Sequence, residues 1–245
     1  MNNQEVTLKL VRVKCVDETN GQNVERVGND EIWLSGFSVD ATATASQLHP
    51  FEVYPHFDDG EIKEFTPPKT IFTMKVPGGG SFPKKCLATL ILAEKDSGDL
   101  TELTQSAFDK AIEDMKKAKD EMEAGVHGEP LTDTPTPIPT PTLSDGIEDI
   151  IIETVKDIAY KYIKGRIAAG LNDDVFPPQL VLIDVTSDDF RWGDGTKLSP
   201  ETTIEFRGHG GVYYLVYYWE INTVESASER NAIFINPTVG GTVIR

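Results

Sequence analysis

Positive charge is in short supply in this sequence. Its 245 residues hold 23 Lys and Arg against 40 Asp and Glu, a formal net charge of −17. That balance excludes nucleic acid as a partner, because phosphates are met by clustered Lys and Arg. An anionic membrane would also repel the chain unless a cation intervened. Cysteine is scarcer still: Cys15 and Cys86 are too few for a disulfide scaffold. Each falls inside an apolar, strand-like run, so buried reduced thiols are expected, and a disulfide would require the two strands to be neighbours. No apolar run approaches the roughly 20 residues of a membrane span. The opening residues, MNNQEVTLKLVRV, show no basic segment followed by an apolar stretch and a cleavage site. A soluble, cytoplasmic protein is the default expectation, and export by a signal-independent route would leave the same sequence.

Catalytic signatures are missing as well. There is no Gly-x-Ser-x-Gly elbow, Walker loop or Rossmann fingerprint, and VPGGGSFPKK lacks the ending of a phosphate loop. His49, His56, His127 and His209 have no spacing to Cys or to one another that suits zinc. A catalytic histidine needs a partner base or nucleophile, and the sequence supplies none. The chain therefore reads as a non-enzyme.

What is present is mostly strand. In residues 5–16, Val6, Leu8 and Leu10 share one face and Val11, Val13 and Cys15 the other. The phase change after Leu10 predicts a bulge or a strand covered on both sides. Residues 31–39 form the next strand, and a hairpin would return the chain to the same sheet end. Residues 40–69 carry turn signals and one short extended piece, order resuming at 70–77. After Gly78–Gly80, read as a flexible hairpin, the apolar run 86–96 has the character of an interior strand. Three further strands follow at 179–187, 201–208 and 210–221. The last is aromatic on both faces, with Tyr213, Leu215, Tyr217, Trp219 and Ile221 on one of them, and is expected to be central.

Helices interrupt this pattern. From Leu103 onward Phe108, Ile112, Met115 and Met122 recur at helical spacing, with Gly125 as a stop. The Thr-Pro repeats of 128–145 form an extended linker. A second amphipathic helix follows, opened by a capping box of Asp145 and Glu148, with Ile147, Ile151, Val155, Ile158, Tyr162 and Ile163 as its apolar stripe and an end near Gly170. Strands, then helices, then strands do not make a doubly wound sheet. The expected fold is mainly β: an antiparallel sandwich, one domain over 1–245, with a helical insertion at 101–171. The alternative is two modules, 1–127 and 146–245.

The remaining feature is the placement of carboxylates in turns. VDETNG and GNDEIWLSGF flank the first loop, and AEKDSGD follows the interior strand. Calcium takes six to eight oxygens, commonly carboxylates and carbonyls supplied by loops. These segments resemble the first and third calcium loops of C2 domains, over residues 5–100. In that family an Asp ends one strand and a Gly-x-Asp-Pro-Tyr segment opens the next. Here Glu31 and Ile32 stand in place of Pro and Tyr, Glu94 in place of Asp, and helices follow Asp99 where the family continues with strands.

The resemblance implies a C2-like sandwich whose metal ligands are Asp17, Asp30, Glu94, Asp96 and Asp99. It also implies Ca2+ as cofactor, and a protein or calcium-bridged anionic lipid surface as partner. A second acidic set, at 171–176 and 186–196, reads as structural turns. The expected function is a calcium-dependent binding module. The rival is a structural or assembly component, or cargo, of a larger bacterial complex, with no metal dependence.

Overall fold

The computed structural model describes residues 3–19, 30–95, 99–126, 152–169 and 173–224. The side chains of 121–126, 159 and 160 lie outside that description. Among the described residues nine strands form two antiparallel sheets. They are β1 (Asn3–Asp17), β2 (Asp30–Val39), β3 (Ala45–Phe57), β4 (Ile62–Val76), β5 (Lys84–Glu94), β6 (Asp174–Val175), β7 (Gln179–Val185), β8 (Thr202–Gly208) and β9 (Gly211–Val224). One sheet has the order β4-β1-β9-β8; the other runs β3-β2-β5, with β6 and β7 both pairing with β5. The result is an antiparallel β-sandwich with inserted helices.

The sandwich core forms where alternate residues of both sheets point inward. Val6, Leu8, Leu10, Val13 and Cys15 all join it. They can do so because the register of β1 shifts between Leu10 and Arg12 against both neighbours. The extra residue, Val11, is a bulge that restores the inward phase. β9 lies between β1 and β8, and its Tyr213, Leu215, Tyr217, Trp219 and Ile221 enter the same core, as their alternation predicts. β5 is interior and buried on both faces. Cys86, Ala88, Leu90 and Leu92 face the sandwich, whereas Leu87, Ile91 and Ala93 face the helices.

Helix α1 (Asp99–Val126) and a second helical segment, α2 (152–168), meet that outer face. The middle of α2, Ile158–Ile163, is π-helical. α1 presents Leu100, Leu103, Ala107, Ala111 and Met115, with Phe108 at the margin. Two alanines in that stripe let the helix approach β2 closely. Ile112, expected in the stripe, is instead 43 % exposed. The helix begins at Asp99, four residues before the first position used to phase it. Val155, Ile158 and Ile163 of α2 are buried as expected. The capping box at Asp145 and Glu148, the linker 128–145, and the side chain of Met122 lie outside the described residues.

Two sequence expectations need correction. The stretch 40–69 is largely strand, since β3 and the first half of β4 occupy it. Both are edge strands, where a proline's missing N–H need not face a partner, so Pro50, Pro55, Pro67 and Pro68 are tolerated. β1 and β2 are not a hairpin, because they belong to different sheets. Cys15 and Cys86 are buried thiols as expected, in different sheets and toward opposite ends of the sandwich. Strands from before and after the helices alternate in both sheets, β1 with β9 and β5 with β7. A cut into 1–127 and 146–245 would divide each sheet.

Candidate functional site

Antiparallel pairing fixes which strand ends meet. Asp30 pairs with Phe57, Asp17 with Val212, Glu94 with Ile32, and Asp174 with Glu94. The backbone N–H of Lys95 also donates to the Glu31 carbonyl at 3.0 Å. The end of β1, the start of β2, the 58–61 turn, the end of β5, the start of α1, β6 and the β8–β9 turn therefore share one end of the molecule.

Asp30 sits at the centre of this end and is 5 % exposed. Its carboxylate accepts from the Thr19 backbone N–H at 2.7 Å and the Thr19 hydroxyl at 2.8 Å. It also accepts from the Tyr213 hydroxyl, a buried contact between the two sheets. These donors replace the water that burial removes. Burial and the adjoining Asp30 carboxylate both push the Tyr213 phenol up. Cys15 lies beside them, and burial chiefly pushes its thiol from 9.0 to about 12. Phe57 and Phe176 pack edge-to-face on Tyr213, with ring centroids 5.7 and 5.5 Å away.

Outside this buried group lies an acidic rim. The Glu18 N–H donates to Asp59 Oδ1 at 2.9 Å, and the Asp59 N–H returns a bond to Glu18 Oε1 at 3.2 Å. These reciprocal bonds hold two carboxylates side by side. Partial burial, and the like charges of Asp30, Asp59 and Asp58, push the Glu18 carboxyl above its ordinary value.

The five predicted ligands are placed differently from one another. Asp17 is exposed at the end of β1. Asp30 is engaged by Thr19 and Tyr213. Glu94 ends β5, flanked by Ile32 and Asp174. Asp99 opens α1 and, with Glu102, puts negative charge at the positive end of that helix. Asp96 lies outside the described residues. The third segment does reach the Asp30 end of the sheet, as Lys95 records. Among the described residues, however, no group of three or more His, Cys, Asp or Glu side chains is placed to hold a metal ion.

Among the described residues the acids of the second set are held in local contacts. Asp173, 2 % exposed, accepts from the Leu100 N–H at 2.8 Å and so caps α1 from across the chain. Asp188 accepts from the Gly79 N–H at 2.8 Å. Asp194 accepts from the Thr196 N–H at 3.0 Å, which lowers its carboxyl. Asp174 meets His209, with 3.2 Å between Oδ1 and the ring Nδ1. No periodic pattern marks Asp173, whose partner is 73 residues away. The sequence marks this acid as structural but carries no signal for its partner.

Open grooves lie elsewhere among the described residues. One, of about 430 Å³ between α1 and α2, is lined by Lys110, Lys117, Lys161, Asp114, Asp157 and others. Its Lys110 and Lys161 are already paired with Asp114 and Asp157 at 2.6 and 2.7 Å. Another, about 600 Å³, is bordered by Trp192, Thr196, Leu198 and Pro200. Neither groove is lined by His209 or by the acidic rim. Among the described residues no helix is long and apolar enough to cross a membrane. No family model, curated protein or solved structure matches this chain.

Proposed function

We propose that the chain is a non-enzymatic binding module whose working surface is the acidic loop end of the sandwich. The cation it takes is calcium, bridging to an anionic lipid or protein surface. The observation that carries this reading is the Glu18 and Asp59 pair, two carboxylates locked together by their own backbone N–H groups beside Asp58. Like charges held close raise the free energy of the empty surface, and a bound cation lowers it. The C2-like resemblance of residues 5–100 points to the same end. In this form of the reading Asp30 sets the loop through Thr19, and the Glu18 and Asp59 pair faces the cation, whose remaining oxygens come from water and from the surface it bridges to.

Calorimetric titration with calcium tests it. Wild type is expected to release or absorb heat saturably, and the Glu18→Gln, Asp59→Asn double variant to bind at least about tenfold more weakly, the loss of a charge-assisted contact. Sedimentation with phosphatidylserine vesicles should follow the same order and vanish in EDTA. Equal heats from both proteins would remove the rim from the mechanism.

The second reading is an assembly component with no metal dependence. It is favoured by the engagement of Asp30 with Thr19 and Tyr213, which leaves that carboxylate no role as a ligand. On this reading millimolar calcium leaves the melting temperature unchanged.

A further inference from the structure

The β8–β9 turn is a two-residue turn between Gly208 and Gly211, with His209 at φ 50° and Gly210 at φ 84°. Positive φ at both central positions suits a hairpin, and Gly and Asn are its ordinary occupants. A histidine here occupies a conformation that costs an L-residue about 1 kcal/mol. It directs an imidazole from one sheet toward the other. Ring Nε2 lies 3.0 Å from the Val175 carbonyl oxygen and ring Nδ1 lies 3.2 Å from Asp174 Oδ1. The ring packs edge-on against Phe176, with centroids 6.0 Å apart.

Both neighbours of the imidazole are acceptors. A carbonyl oxygen accepts only, and so does an ionised carboxylate. A neutral imidazole has one N–H, so one ring nitrogen would present a lone pair to an oxygen at hydrogen-bonding distance. Only the doubly protonated ring donates to both. We propose that His209 is a proton-operated clasp, which in its imidazolium form ties the β8–β9 turn of one sheet to β6 of the other.

What the clasp holds gives it consequence. Val175 pairs with Ala93, the Phe176 N–H donates to the Leu92 carbonyl at 2.9 Å, and Asp173, just before Asp174, caps α1 at Leu100. Closing the clasp thus secures the strand and the cap that seat α1 on the sandwich. Opening it releases them from β8–β9. Charged groups face the clasp from the neighbouring elements. β5 contributes Glu94 beside Asp174, the segment before β6 contributes Asp173, α1 begins with Asp99, and β1 ends in Asp17 and Glu18 near the turn. The nearby cation is Arg207 of β8, paired with Glu205 at 2.7 Å. Side-chain exposures of 32 % for His209 and 33 % for Asp174 let protons exchange with solvent. The inference stands apart from the calcium reading, since the bonds of the clasp run between His209, Asp174 and Val175.

Histidine gains its second N–H between about pH 8 and pH 5. Nitrogen-15 NMR of the imidazole in the full chain reads the ring directly. At pH 5.5 both ring nitrogens are expected to carry protons with slowed exchange. Protection factors of the Phe176 and Leu100 amides are expected to fall about tenfold between pH 5.5 and pH 8, one charge-assisted hydrogen bond's worth. In His209→Gln and in Asp174→Asn that fall should be absent, while amides of β1 and β9 behave as in wild type. A neutral ring at pH 5.5, or an equal fall in wild type and both variants, would overturn the proposal. Slowed exchange at both ring nitrogens, which an imidazolium open to solvent lacks, decides the matter even if a variant fails to fold.

Discussion

At the scale of the residue, Asp30 shows how burial converts an apparent ligand into a structural anchor. A carboxylate that is nearly closed to water and faces Thr19 and Tyr213 is held by its donors, and each donor is held by it. Replacing Asp30 by Asn substitutes an N–H2 for one acceptor and sets donor against donor. The expected cost is about 2 to 4 kcal/mol in urea unfolding, whereas Tyr213→Phe, which strands only one bond, should cost about 1 to 3 kcal/mol. Cys15 adds a pH dependence of known sign. Its folded value is raised from 9.0 to about 12, so folding favours the neutral thiol. That contribution is whole below pH 9 and is lost as pH rises toward 12. The stability difference between wild type and Cys15→Ala should therefore shrink across this interval. A thiol reagent should leave Cys15 unmodified at neutral pH until the protein unfolds.

At the scale of the element, alternation along strands was legible because each strand carries its pattern locally. β5 and β9 were read as interior from their two apolar faces, and the bulge of β1 from one phase change. The helix face was legible less well. Ile112 is chemically a core residue, yet the interface is built on Ala107 and Ala111 because α1 packs close to β2, where Ser35 Oγ and Thr104 Oγ1 meet at 2.8 Å. Ala111→Leu is thus expected to destabilise by about 1 to 3 kcal/mol through overpacking. Ile112→Ala should change stability by less than about 0.5 kcal/mol, as at other exposed sites. Chemical denaturation of the two variants checks both. Gly36 of β2 is a second tight point. A Cβ there would lie 2.1 Å from the Thr89 carbonyl oxygen of β5, at a φ of 156°, so Gly36→Ala must push β2 and β5 apart. It should cost about 3 kcal/mol or more.

At the scale of the whole molecule, the strands of the two halves interleave. β9 completes the sheet begun by β1 and β4, and β7 completes the one begun by β2 and β5. A fragment of residues 1–127 would leave β1 as an open edge, with Val6, Leu8 and Leu10 stripped of their cross-strand neighbours Ile221, Trp219 and Tyr217. No cooperative thermal transition is expected from that fragment by circular dichroism, while the full chain melts in one. Two independent transitions in the full chain, each reproduced by a half, would contradict this. The acidic excess belongs to this scale too. The structural reading of the second acidic set holds for Asp173, Asp188 and Asp194, and what each carboxylate does depends on what it reaches.

The sequence by itself determined the strands apart from β3, the first half of β4 and the short β6, together with the inserted helices, the interior position of β5 and β9, and the gathering of carboxylates in loops. These follow from alternation, helical period and turn preference, which act between residues a few positions apart. Tertiary structure alone decided that β1 and β2 go to different sheets, that Cys15 and Cys86 lie apart, and that Asp30 answers to Tyr213, 183 residues away. It alone set His209 between two acceptors. Partners this distant leave no period in the chain. They are selected when a sheet end closes and every buried polar group must find whatever donor or acceptor the fold has brought beside it.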